Sequence, residues 1–548
     1  MSTPTFARWG TPPHPVELSE AAQAFLGAEL GDGFPQPTVD LTDIPIGESE
    51  LSGEHVAALI DICGESAISR SAGDRVMHAS GCSLVDYLRL RRQETIAVPD
   101  AVIRPQDHDI VRELLSYCSN NSIAVVPFGG GTSVVGGLTP GIDGAQPTAW
   151  IAISMDQMNR VVDIDEISQT VRVEPGITGP QLEAVLGARG LTLGHLPQSW
   201  ERASIGGYVA TRSAGQASSG FGRSDDMVEA IRVATPIGEL ELGKATRSAA
   251  GPDLRQLFIG SEGALGIITE VTLRVRRTAS VTRYEGFMLP DWGSGAAAFR
   301  EMAQTKSTAD VMRLSDPFET KASLAMSGPQ GTTGELFHKY LNLRNVAGGA
   351  LAILGWEGAS RDLVGARRKA AIRTIRKQGG ITLGTSVGTA WRQHRFDGPY
   401  QRDELLDAGY IAETVETATH WRHLGELYSG VRDAIYRTLA DHGPTPYVMC
   451  HISHVYETGA SLYFTAITGA SSDPIAQWQA AKSAATEAMV RHHGTITHHH
   501  AVGRDHAPWL TDEIGIEGVR VLRSVKAAVD PARVMNPGVL LPSATREQ

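Results

Sequence analysis

An apolar run, Ile123 to Val126, leads directly into Pro127-Phe128-Gly129-Gly130-Gly131-Thr132-Ser133, and this junction restricts the fold more than any other stretch of the chain. The run reads as a buried strand. Three consecutive glycines let the backbone turn with positive φ and approach a ligand without Cβ clashes. Successive N–H groups in such a loop form a concavity suited to phosphate, and the Thr132 and Ser133 hydroxyls add donors. A strand feeding this loop points to the pyrophosphate of a nucleotide. No Lys follows the glycines and G-x-G-x-x-G is absent from the loop. Neither an ATP-type phosphate loop nor a Rossmann turn is therefore indicated. Taken singly, the stretch also fits an ordinary glycine-rich surface turn.

The chain has 548 residues, which is too many for one ordinary core and predicts two to four domains. Its formal charge of −12 argues against a nucleic-acid partner, because phosphate backbones need basic surfaces. The four cysteines, Cys63, Cys82, Cys118 and Cys450, contain no C-x-x-C pair. Neither a zinc site nor a disulfide framework is expected, and a reducing compartment is the natural home. Met1 to Pro15 lacks the apolar core of a secretory signal, and Ala544 to Gln548 is not a peroxisomal address. No apolar run approaches the length of a membrane span. The expected location is the cytoplasm.

Patterning divides the chain into a mixed leader over 1–95, an alternating strand and helix region over 96–278, a second mixed unit over 279–495, and a C-terminal segment over 496–548 that packs back on the first region. Helices are predicted over Glu54–Cys63, Asp107–Cys118, Gly179–Arg189, Arg361–Gln378, Thr414–Leu439, Asp473–His493 and Gly518–Val529. Strands are predicted over Trp150–Ser154, Val161–Ile164, Thr170–Val173, Ile267–Arg276, Thr282–Met288 and Ala350–Trp356. Hairpins join Ile231–Thr235 to Gly238–Leu242 and Val448–Val455 to Ala460–Ile467.

Further elements rich in small residues lie in the 96–278 region: Pro197-Gln198-Ser199, Ala203-Ser204-Ile205-Gly206-Gly207 running to Thr211, and Gly260-Ser261-Glu262-Gly263-Ala264-Leu265-Gly266-Ile267-Ile268-Thr269. Each alone is an ordinary turn, but together they allow close backbone approach to a large flat ligand. Their order resembles the vanillyl-alcohol-oxidase/PCMH family of FAD flavoproteins. Within it, the segments Phe6-Ala7-Arg8-Trp9-Gly10, Asp156-Gln157-Met158-Asn159-Arg160, Glu174 to Gly179, Met312-Arg313-Leu314-Ser315-Asp316, His498-His499-His500 and Asn536-Pro537 are similar to the alkyldihydroxyacetonephosphate synthase branch.

That resemblance implies an α+β architecture: a PCMH-type FAD-binding domain of two α/β subdomains, and an α+β cap whose antiparallel sheet is flanked by helices. It implies FAD on Pro127, Phe128, Gly129, Gly130, Gly131, Thr132 and Ser133, on Pro197, Ser199, Ser204, Gly206, Gly207 and Thr211, on Arg212, Ser213 and Ala214, and on Glu262, Gly263, Ala264, Leu265, Gly266, Ile267 and Ile268. Val126-Pro127-Phe128 supplies no nucleophile before the loop, so the flavin is expected to be noncovalent. The implied reaction is redox-neutral. Acyl-dihydroxyacetone phosphate exchanges its fatty acid for a long-chain alcohol through a flavin N5 adduct. The alternative is an FAD oxidoreductase of the same fold acting on a 2-hydroxy acid.

By the same likeness Tyr463 is the proton donor and acceptor, Arg313 a cation near the flavin, and Arg402 the ligand of an anionic substrate group. A packed strand tyrosine and ion-paired arginines are the plain alternatives. His498, His499 and His500 are expected to handle protons or bind phosphate. They are not expected to hold a metal, since adjacent side chains on a strand alternate faces. The partners implied are the lipid phosphate and the fatty alcohol, with peripheral membrane contact and a homodimer.

Overall fold

A computed structural model describes residues 6–10, 16–30, 33–141, 149–329 and 331–542. In it Ala124–Phe128 is the edge of a four-stranded sheet and pairs in parallel with Trp150–Ser154, which pairs in parallel with Ala101–Ile103. Ile68–Ser69 completes the sheet antiparallel. The two middle strands are buried along their whole length, as strands covered on both faces must be. Helix His108–Asn120 covers one face through Val111, Leu114, Leu115 and Cys118, which recur at helical spacing. The open edge of Ala124–Phe128 is not left bare. The Val125 N–H donates to the Val534 carbonyl, and the Asn536 N–H donates to the Val125 carbonyl, so the C-terminal segment caps the edge.

Next in the chain comes a five-stranded antiparallel sheet in the order Val161–Asp165, Thr170–Val173, Ile267–Arg274, Val228–Thr235, Gly238–Leu242. Its core includes Leu182 and Leu186 of helix Gly179–Gly187, and Ile205 and Val209 of helix Ile205–Ala210.

The third large sheet has seven antiparallel strands in the order Ile381–Gly384, Val281–Leu289, Ala350–Gly358, Val311–Ser315, Tyr447–Val455, Gly459–Gly469, Tyr410–His420. Side chains alternate across it. Val448, Cys450, Ile452, Leu462, Phe464 and Ala466 join Phe299, Ile375, Val431 and Trp478 from the covering helices in one core. Met449, His451, Ser453, Tyr463, Thr465 and Ile467 point the other way and line a cavity. The architecture is the α+β arrangement expected.

One sequence expectation fails here. Thr414–Leu439 is not a continuous helix: strand Tyr410–His420 runs to a single 3-10 turn at Trp421–His423, and only then does helix Leu424–Ala440 begin. Thr414, Val415, Thr417 and Thr419 favour a pleated strand. That strand pairs with Gly459–Gly469 along its length, from Tyr410 opposite Gly469 to His420 opposite Gly459. The last helix also starts earlier than predicted, at Leu510, with a break at Gly515, whose φ is 74°.

The leader is divided between the two halves. Ile68–Ser69 belongs to the four-stranded sheet. Helix Glu20–Glu29 instead shares an apolar cluster with Leu405, Ala412, Tyr447 and Met449. No described helix is long and apolar enough to cross a membrane. Residues 1–5, 11–15 and 544–548, on which the signal and targeting expectations bear, lie outside the described residues.

Candidate active site

The cavity between the glycine loop and the open face of the seven-stranded sheet measures about 530 Å³, a size typical of ligand sites. Twenty of the sequence-predicted cofactor positions line it, from Pro127–Ser133 through Pro197, Ser199, Ser204 and Thr211 to Gly266, Ile267 and Ile268. Among the described residues, no protein acceptor engages the N–H groups of residues 129–133. Gly131 has φ 67°. A Cβ on Gly129 would lie 2.4 Å from Ser204 Oγ, and one on Gly130 2.1 Å from the Arg202 carbonyl oxygen. A row of free donors on a loop that tolerates no side chain fits the pyrophosphate of a dinucleotide.

Three of the predicted cofactor positions point elsewhere. Arg212, at φ 52°, donates to the Ile259 and Gln256 carbonyls and to Asp225, which ties loops together away from the cavity. Ala264 packs with Val539 and Leu540, and Leu265 enters the core of the five-stranded sheet. Glu262 does line the cavity, and its carboxylate accepts the N–H groups of Val502 and Gly503 at 2.9–3.0 Å. Burial pushes that carboxyl up to about 7.

On the opposite wall, strand register sets one row of residues: Ser315 opposite His451, His451 opposite Tyr463, and Tyr463 opposite Glu416. The Tyr463 ring stacks on His451 with centroids 5.0 Å apart, and its hydroxyl donates to Thr414 Oγ1 at 3.1 Å. Burial pushes the Tyr463 phenol up to about 12, so it is protonated at neutral pH. Arg313 lines the same cavity with one Nη 2.9 Å from His451 Nε2 and the other 2.5 Å from Glu319 Oε1. Burial opposes ionisation of Glu319, but Arg313 and His451 beside it hold its carboxyl well below the usual carboxylate range.

Arg402 is a buried cation, not a surface one. Its Nη1 donates to the Cys82 carbonyl at 2.9 Å and lies 3.5 Å from Glu413. The guanidinium sits over the Tyr87 ring, and its Nε is buried with no partner among the described residues.

The histidine run divides. His499 and His500 line the cavity beside Tyr463, at ring separations of 6.0 and 5.6 Å. His498 does not line it: its ring is buried against His454, and Nε2 lies 2.7 Å from the Tyr456 hydroxyl. Burial pushes His500 down to about 3, so its imidazole is neutral at physiological pH. Ring nitrogens of His454, His498 and His499 lie within 4.8 Å of one another, a convergence that adjacency alone did not suggest. Those of His454 are already engaged, Nε2 with the Gly215 carbonyl and Nδ1 with Ser461 Oγ.

Glu416, Glu319, His451 and Glu413 escaped sequence reasoning. The signal that could have found Glu416 and His451 is acidic and imidazole side chains in strands otherwise rich in Val, Ile and Thr, on the phase that faces the cavity; Glu413 lies on the other phase of its strand and Glu319 on helix Pro317–Ser327.

Two family models match the chain, an FAD binding domain over residues 99–242 and the C-terminal domain of FAD linked oxidases over 278–540. The p-cresol methylhydroxylase structure shares the fold at TM-score 0.65 and 14% identity, covering 90% of this chain and 98% of that one. Fold and site thus define a PCMH-type flavoprotein with FAD as its cofactor. An alkyldihydroxyacetonephosphate synthase of Dictyostelium discoideum is 32% identical over 86% of this chain and 78% of its own length. A solved alkyldihydroxyacetonephosphate synthase structure matches at TM-score 0.81 and 29% identity, covering 96% of this chain and 94% of that one. The chain belongs to the alkyldihydroxyacetonephosphate synthase family.

Proposed function

We propose that this enzyme exchanges the fatty acid of acyl-dihydroxyacetone phosphate for a long-chain alcohol and forms an ether. One observation carries the reading: Tyr463, Arg313 and the under-bonded Arg402 line one cavity with the glycine loop. FAD, when bound, supplies the electron-rich ring system that the exchange needs. Arg402 holds the anionic end of the substrate, where its unpartnered Nε offers a donor. Arg313 is held in place by Glu319 and adds positive charge beside the reacting carbons.

Tyr463 gives a proton to the departing carboxylate oxygen and takes one from the incoming hydroxyl, so the protonated phenol is regenerated in each cycle. His499 and His500 pass protons to and from the phenol. With no nucleophile in Val126-Pro127-Phe128 ahead of the loop, the flavin is held noncovalently. Oxidation of a 2-hydroxy acid is not favoured, because the synthase relatives are 29–32% identical to this chain, whereas a D-lactate dehydrogenase of Arabidopsis thaliana and a glycolate oxidase subunit of Bacillus subtilis are 27% and 26% identical.

Lipid substrates favour peripheral docking on a membrane by a cytoplasmic homodimer without a nucleic-acid partner. Helix Gly331–Leu343 exposes Leu336, Tyr340 and Leu343 on one side, next to Lys339 and Arg344. Such a face suits an anionic bilayer, and failure to co-sediment with anionic liposomes would count against docking.

The decisive test incubates purified holoenzyme with acyl-dihydroxyacetone phosphate and labelled fatty alcohol. Labelled ether and free fatty acid in equal amounts are expected. No ether product, together with bleaching of the flavin by a 2-hydroxy acid, would overturn the assignment.

A further inference from the structure

The three histidines share an anchor. Glu416 is about 1% exposed and lies opposite Tyr463 in the sheet. Its carboxylate accepts four hydrogen bonds from four successive residues: Thr497 Oγ1 at 2.7 Å and the N–H groups of His498, His499 and His500 at 2.7, 3.0 and 2.8 Å. One side chain therefore fixes the turn that directs His499 and His500 toward the Tyr463 ring and turns His498 away.

We propose that Glu416 is a positioning residue for the exchange reaction, a buried anion that orients the histidine run against Tyr463 and sets the basicity of its imidazoles. The inference rests on the function proposed above. Its nearest ring-nitrogen distances are 4.0, 3.3 and 3.9 Å for His498, His499 and His500. Burial works against ionisation of Glu416, but those histidines and their bonds hold its carboxyl well below the ordinary range.

Other charges around the run come from several elements. Arg223 donates to the His498 carbonyl at 3.0 Å. Lys482 and His506 face His500, and His454 faces His498. Asp225 pairs with Arg223, and Asp505 pairs with Lys482. Among the described residues, Glu416 alone of the carboxylates bonds the run itself. Its removal leaves Arg223 and Lys482 nearer to unopposed, and the His498 and His500 imidazoles become harder to protonate.

The test compares holoenzyme pH profiles of kcat and KM for wild type, Glu416→Gln and Glu416→Asp, each checked for wild-type flavin content. Gln sets an amide N–H₂ against backbone donors and removes the charge. Its kcat is expected to fall about ten- to a hundredfold with KM little changed, and the limb due to histidine is expected to move about one unit to lower pH. Asp keeps the charge but reaches fewer donors, so kcat falls while the limb stays in place.

A purely structural role would lower kcat without moving the limb in the Gln variant. That result, or wild-type kcat in either variant, overturns the proposal. If the Gln variant does not fold, Thr497→Val removes one donor alone and should still lower kcat at unchanged KM; wild-type kcat there overturns the proposal equally. Wild-type enzyme that makes no ether would instead sink the reaction assignment.

Discussion

Gly130→Ala isolates what the glycine loop does. The new Cβ would lie 2.1 Å from the Arg202 carbonyl oxygen and 2.7 Å from Ala203 Cα. Real Cβ contacts stay beyond 3.0 Å, so the loop and the 202–203 segment must part by about 0.9 Å. Both are backbone, and neither can swing aside as a flexible side chain would. They are also both walls of the cavity, since Gly130, Ala203 and Ser204 line it together. Overpacking of this kind costs about 1–3 kcal/mol. If that cost is borne by the holo geometry, FAD binding weakens about 5- to 150-fold.

The assay is equilibrium titration of apoprotein with FAD, followed by flavin fluorescence and by flavin retained after gel filtration. Gly365→Ala is the control. Gly365 lies inside helix Arg361–Lys377 with nothing within 4 Å of its would-be Cβ. That change should stabilise the protein by up to about 1 kcal/mol and leave FAD affinity alone. Wild-type affinity in Gly130→Ala would refute the role given to this loop.

Three further outcomes follow from the opposite wall. Tyr463→Phe should lower kcat about 10²–10⁴-fold with flavin content unchanged, measured as ether formation in steady state. Arg402→Lys keeps a charge but loses the planar fork that reaches Cys82 and Glu413; KM for the phosphate substrate should rise about tenfold or more, and an unchanged KM would remove Arg402 from substrate binding. Glu319→Gln should destabilise the holoenzyme by about 1–3 kcal/mol at neutral pH. Because the folded carboxyl is held low, that advantage of wild type is present above the unfolded value near about 4.3 and shrinks as pH falls below it. Thermal melts at pH values from neutral down into that acid range check the sign.

The flavin half was legible because its signals are local. Glycines at 129–131, 206, 263 and 266 punctuate short strands and turns, and each is required by a close approach that a single residue type permits. What sequence reading missed there, at Arg212, Ala264 and Leu265, follows from motif membership: a residue inside a conserved-looking phrase need not face the ligand. Arg212 at φ 52° turns its guanidinium onto two carbonyls and Asp225, and no local pattern announces that direction.

The substrate wall was less legible because its chemistry depends on register between strands distant in sequence. Tyr463 reads as a strand tyrosine from its neighbours, but its surroundings come from His451 on one side and Glu416 on the other. Reading 414–439 as helix hid this. On a helix Glu413 and Glu416 would be solvated polar residues three apart on one face. On a buried strand they fall on opposite phases. Glu413 accepts the Leu84 N–H at 2.6 Å and lies beside Arg402, whereas Glu416 holds the histidine run. Neither carboxylate can be left without donors at such burial. The strand can therefore keep two acidic residues only because a helix start, a buried arginine and a three-residue turn from elsewhere in the chain bring donors to them. The same pairing that makes 410–420 a tolerable strand assembles the cavity wall that carries Tyr463.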